Sequence, residues 1–153
     1  MPSITNPALS ADPAVRGAAA TGLVTVGVIH ALEIPGQLAF AAWLTAGFFL
    51  LAVAAPLLGL WLLIRPGWRS WLAGGLASAG ALAGYILTRS VAVPGDATDR
   101  GNWLEPLGLA AIMIELMTAI LAALALGSML KAAGKGTAPA PGPVPEVRAS
   151  SSA

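Results

Sequence analysis

The chain alternates long apolar runs with short polar or Pro/Gly-containing breaks, and four of the runs are long enough to cross a bilayer. Asp12-Pro13 opens the first. Asp suits a helix N-cap and Pro the first helical position, so a span is expected over about 15–34, ended by Pro35-Gly36. A second helix is expected over 37–64, kinked where Pro56 lacks a backbone N–H. Arg65-Pro66-Gly67 makes the next turn, and spans over about 68–88 and 103–130 follow. Each run meets the roughly 20 apolar residues that ~30 Å of hydrocarbon requires. The pattern predicts an all-α, four-helix transmembrane bundle over 12–130. Disordered tails are expected at 1–11 and, in the Ala/Pro/Gly/Ser-rich segment, at 131–153. No internal repeat is visible.

Composition agrees with lipid as the solvent. Of 153 residues 57% are hydrophobic and 10% charged, where soluble domains carry about 25% charged residues. The net charge of +1 and the lack of a basic patch argue against a nucleic-acid partner. Without cysteine there are no disulfides, thiolate metal sites or thiol redox chemistry. The single histidine rules out a two-His haem site within one chain. No nucleophile–base pair, phosphate loop or metal motif is present, so neither an enzyme, a cofactor nor a metal is expected. The N-terminus lacks the basic start of a cleaved signal peptide.

Charge sets an orientation. Arg16, Arg65, Arg69, Lys131, Lys135 and Arg148 fall on the side of both termini, against Arg89 and Arg100 on the other. The positive-inside rule then makes both termini cytoplasmic, in the plasma membrane. Trp61, Trp68 and Trp71 flank the inner turn and Tyr85 and Trp103 the outer loop, as two aromatic belts would.

Few polar residues interrupt the spans. Glu115 is the only charge between Pro106 and Leu130, about 13 Å into the fourth helix at 1.5 Å per residue. Around it on the helix surface fall Gly108, Ala111, Ala119 and Ala122, with Thr118 at the margin. Met113, Met117, Ile120 and Leu124 fall opposite. Small residues mark close helix contact, so Glu115 is expected to point inward. It is either a functional group, the default reading of an intramembrane carboxylate, or a neutral glutamate hydrogen-bonded to another helix. His30 and Glu33 share a face near the outer end of the first span. They could form a proton-exchanging pair, supply two metal ligands without a defined ligand set around them, or make a polar helix end. Helix rise puts His30 roughly 7 Å nearer the outer surface than Glu115. Arg89 either snorkels outward or turns in to pair with Glu33, Glu105 or Glu115.

The loop from Ser90 to Pro106 holds three acids. Asp96 follows a Pro94-Gly95 turn signal, and Asp96 and Asp99 are candidates to attract cations. Glu105 is either the third-position acid of a capping box begun by Asn102 or itself the cap before Pro106. Gly75, Gly80, Gly84 and Gly108 are expected to be helix-packing positions, Gly80 and Gly84 as a GxxxG pair.

Three blocks resemble segments of small four-span actinobacterial membrane proteins of unassigned function. They are His30-Ala31-Leu32-Glu33-Ile34-Pro35, Thr88-Arg89-Ser90-Val91-Ala92-Val93-Pro94-Gly95-Asp96 and Gly101-Asn102-Trp103-Leu104-Glu105-Pro106-Leu107-Gly108. The family patterns are His-x-x-Glu-x-Pro, Ser-Arg-Thr-x-Gly-Leu-Pro-Gly and Trp-x-Glu-Pro-Leu-Gly. Here Thr88-Arg89-Ser90 replaces Ser-Arg-Thr and Ala92 replaces the Gly. The resemblance implies the four-span fold and no particular activity.

The functional expectation is a non-enzymatic membrane protein whose outer-facing cluster of His30, Glu33, Arg89 and Glu115 binds a proton, a cation or a small ligand. The alternatives are an accessory subunit of a larger membrane complex, docked through the glycine-rich third helix, and a homo-oligomeric channel or transporter. Partners are accordingly the bilayer and either another membrane protein or further copies of the chain.

Overall fold

The structure, a computed structural model, describes residues 9–38 and 41–136. Its elements are a short 3-10 turn (Leu9–Ala11) and four helices: α1 (Pro13–Gln37), α2 (Ala42–Ile64), α3 (Trp68–Ser90) and α4 (Pro106–Gly136). All four are long and apolar enough to cross a membrane, and their outward faces carry large apolar side chains, among them Phe49, Leu57, Leu76 and Met113. Apolar surface on every side of a helical bundle means that lipid takes the place of water. The chain is a multi-pass membrane protein.

Asp12 caps α1, its Oδ1 accepting from the Ala14 N–H at 2.8 Å, with Pro13 at the first position. The helix does not stop at Pro35. Pro35 lies inside it, the Leu38 N–H reaches the Ile34 carbonyl at 3.2 Å, and the Thr45 hydroxyl takes up the Gln37 carbonyl at 2.9 Å. With the Ile34 and Gln37 carbonyls occupied, a proline in the last turn costs chiefly the one hydrogen bond it cannot donate. In consequence α2 begins at Ala42 rather than at Gln37. At the other limit α4 continues to Gly136, past the expected end at Leu130. The segments expected to be disordered are thus partly ordered, at 9–11 and 131–136, while 1–8 and 137–153 lie outside the described residues.

Two hairpins, α1 with α2 and α3 with α4, are joined mainly through α1 and α4. The core centres on Leu23, Val26, Ala55, Leu62, Trp71 and Ala122. Close approach depends on missing side chains: a Cβ at Gly27 would lie 2.5 Å from the Pro56 ring, and one at Gly59 2.9 Å from the Ala20 carbonyl oxygen. Trp71, expected in an interfacial belt, is instead buried in this core, whereas Trp61, Trp68 and Trp103 are exposed. Contact between α2 and α3 is sparser, and a cavity lies between them at the end bearing the α1–α2 and α3–α4 connections.

Candidate functional site

Glu115 is 1% exposed and faces the bundle interior. Ala111, Thr118 and Ala122 beside it are also buried, and Met113, Met117, Ile120 and Leu124 point outward. Its Oε1 lies 3.8 Å from Nε2 of His30 on α1, and its Oε2 is buried without a hydrogen-bond partner among the described residues. The Nδ1 of His30 is 2.8 Å from the Val26 carbonyl, one turn back. A carbonyl only accepts, so Nδ1 carries a hydrogen, and in the neutral ring Nε2 is a bare lone pair aimed at Glu115. Phe48 of α2 covers the imidazole, ring centroids 5.1 Å apart.

This geometry defines what the pair can do. A proton resides either on Glu115, leaving two neutral groups, or on Nε2, leaving an imidazolium–carboxylate pair. Burial penalises the charged arrangement and mutual attraction favours it. A separation of 3.8 Å exceeds a direct hydrogen bond, so transfer needs a small side-chain rotation or a bridging water.

The pair lines a cavity of about 370 Å³. Glu33, one turn from His30, lines it too, as do Gln37, Trp43, Tyr85 and Thr88. Hydrophobic patterning does not mark Trp43 or Gln37 as site residues. Trp43 occupies the first turn of α2 and donates from Nε1 to the Pro94 carbonyl at 3.0 Å, tying α2 to the α3–α4 loop. A lone tryptophan at a helix start, opposite a Pro-Gly turn, is the only trace of that role in the sequence.

Arg89 borders the cavity but pairs with none of the three glutamates considered for it. Its Nη1 donates to Asp99 Oδ2 at 2.5 Å and to Thr88 Oγ1 at 3.0 Å, its Nε donates to the Asn102 carbonyl at 3.1 Å, and its guanidinium stacks on Tyr85. The loop reaches back because Gly101, at φ +82°, turns its N–H onto the Arg89 carbonyl at 2.9 Å. Burial pushes the Asp99 carboxyl above the usual carboxylate range, the Arg89 guanidinium opposes that, and the neighbouring Asp96 adds to it.

The other outer acids hold the backbone. Asp96 is buried, closing a turn over Pro94-Gly95 in which Gly95 adopts φ +86°. Its Oδ1 accepts from Thr98 Oγ1 at 3.0 Å and from the Asp99 N–H at 3.4 Å. Glu105 is the α4 cap, accepting from the N–H groups of Leu107 and Gly108, so the second of the two expected arrangements holds. Among the described residues no three His, Asp or Glu side chains converge as a metal ion would require.

The glycines divide. A Cβ on Gly75 would meet Ala122 at 2.8 Å and one on Gly108 the Tyr85 ring at 2.5 Å, so both are packing positions. Gly80 and Gly84 are not: among the described residues no packing neighbour lies within 4 Å of a Cβ at either, and both line the cavity. The GxxxG pair opens a space here instead of closing one.

Comparison with protein-family models, with curated proteins and with solved structures found no match to this chain.

Proposed function

We propose that the protein is a non-enzymatic plasma-membrane protein, both termini cytoplasmic, in which His30 and Glu115 form a buried site that takes up and releases a proton at the floor of a ligand cavity. The observation that carries this reading is the Glu115 carboxyl: buried, 3.8 Å from the only imidazole in the chain, with its second oxygen unpartnered. A glutamate serving purely as interhelical glue would use its oxygens in hydrogen bonds. The resemblance to four-span actinobacterial proteins through the His30-x-x-Glu33 block fits this reading, since both residues line the cavity. With Arg89 held by Asp99, the working cluster is His30, Glu33 and Glu115, and Arg89 is its structural border.

Proton counting tests the reading. Purified protein and its Glu115→Gln variant are titrated from about pH 4 to pH 9, the range that brackets ordinary Glu and His titration. The parent should bind more protons than the variant, with the difference developing inside that range. Superimposed proton-binding curves would defeat the proposal.

A further inference from the structure

The cavity extends well beyond the His30–Glu115 pair. Its α3 wall runs from Arg89 to Leu76, roughly 20 Å of helix at 1.5 Å per residue. Leu50 of α2 and Leu76 of α3 line it and are also exposed on the outside of the bundle. The space therefore opens sideways, between α2 and α3, toward the surrounding lipid. Gly80 and Gly84 keep that opening free.

The two parts of the cavity differ in chemistry. Its helix walls include the apolar Leu44, Leu51, Ala77 and Ala81. At its floor and loop end stand three carboxyl groups, Glu33, Asp99 and Glu115. Among the described residues the one permanent cation there, Arg89, is bound to Asp99. Glu115 keeps a buried, unpartnered oxygen. What the floor lacks is a positive charge with hydrogens to donate, and what the walls offer is an apolar sleeve.

We infer that this cavity binds a small lipophilic amine in its ammonium form, entering between α2 and α3 with the ammonium on Glu115 and the apolar body along the glycine side of α3. The volume of about 370 Å³ falls within the usual 300–1,000 Å³ of small-molecule sites and suits a single-ring or short-chain amine. Trp43 and Phe48 line the same space and supply faces that attract an organic cation. An aminophospholipid would bring its phosphate against Glu33 and Glu115, and a neutral amphiphile would leave the carboxylates unmatched.

This inference rests on the proton-site reading, because amine and proton compete for Glu115. The titratable groups that line the cavity with that carboxyl are His30 and Glu33 from α1, Tyr85 and Arg89 from α3 and Asp99 from the loop, with none from α2. Binding should tighten as pH rises, until the amine itself loses its proton.

The test uses full-length protein in nanodiscs of neutral lipid, titrated with 4-phenylbutylamine and separately with its uncharged isostere 4-phenylbutanol, empty nanodiscs being subtracted. The amine should bind saturably and at least about tenfold more tightly than the alcohol, a discrimination expected when a buried carboxylate is paired in one case only. Glu115→Gln should weaken the amine by about tenfold or more. Gly84→Leu, which fills open space, should weaken both ligands. Equal affinity for amine and alcohol, an unchanged amine affinity in Glu115→Gln, or no saturable binding would each overturn the inference. Proton uptake measured without amine separates the two ideas. Glu115-dependent uptake in a protein that binds no amine overturns the ligand alone, and loss of that uptake overturns both.

Discussion

His30 on α1 and Glu115 on α4 meet at 3.8 Å across the bundle, although helix rise from the expected span ends set them roughly 7 Å apart in depth. α1 runs through Pro35 to Gln37, so three more residues than expected lie between His30 and the helix end, about 4.5 Å of helix rise.

If Glu115 is retained for proton exchange and not for stability, Glu115→Leu should melt no lower than the parent in detergent, while its proton uptake is lost. Replacing a poorly satisfied buried charge by a hydrophobe is often neutral or stabilising. A thermal-shift or urea titration showing a loss beyond about 1 kcal/mol, more than a typical interhelical hydrogen bond contributes, would identify the residue as structural glue.

The glycines should separate by site. Gly27→Ala puts a Cβ 2.5 Å from the Pro56 ring and should cost about 1–3 kcal/mol through overpacking, with partial rescue by Pro56→Ala. Gly80→Ala meets open space and should leave stability equal or raise it by up to about 1 kcal/mol, the helix-propensity gain. Denaturation in one detergent compares the two directly.

Glu105 caps α4 through two N–H groups. Glu105→Ala should therefore destabilise by about 0.5–2 kcal/mol and speed hydrogen exchange at Leu107 and Gly108 without altering exchange in the core of α1.

Arg89 holds the α3–α4 loop through Asp99 and the Asn102 carbonyl. A lysine cannot span both acceptors with one fixed fork. Arg89→Lys should raise hydrogen exchange and protease cleavage between Val91 and Glu105, and Arg89→Ala should do so more strongly.

Much of this arrangement was legible in the chain. Apolar run length fixed the four spans, and the spacing of small and large residues about Glu115 gave its inward face. What escaped was set by contacts distant in sequence. The continuation of α1 past Pro35 depends on Thr45 accommodating the Gln37 carbonyl. The partner of Arg89 depends on a glycine turn at Gly101 folding the loop back. Whether a GxxxG pair packs or opens depends on where the facing helix runs, and α2 stands away from Gly80 and Gly84. Periodicity records which face is small and not what lies against it.

On the proposed function His30 and Glu115 share one titration, and the single histidine makes it directly readable. Nitrogen-15 NMR of histidine-labelled protein gives one imidazole, with separate Nδ1 and Nε2 signals. Nδ1 should stay protonated throughout, held by Val26, while Nε2 changes protonation at a pH that moves by one unit or more, about 1.4 kcal/mol of coupling, in Glu115→Gln. An Nε2 titration that is the same in parent and variant would mean that the two groups do not share a proton.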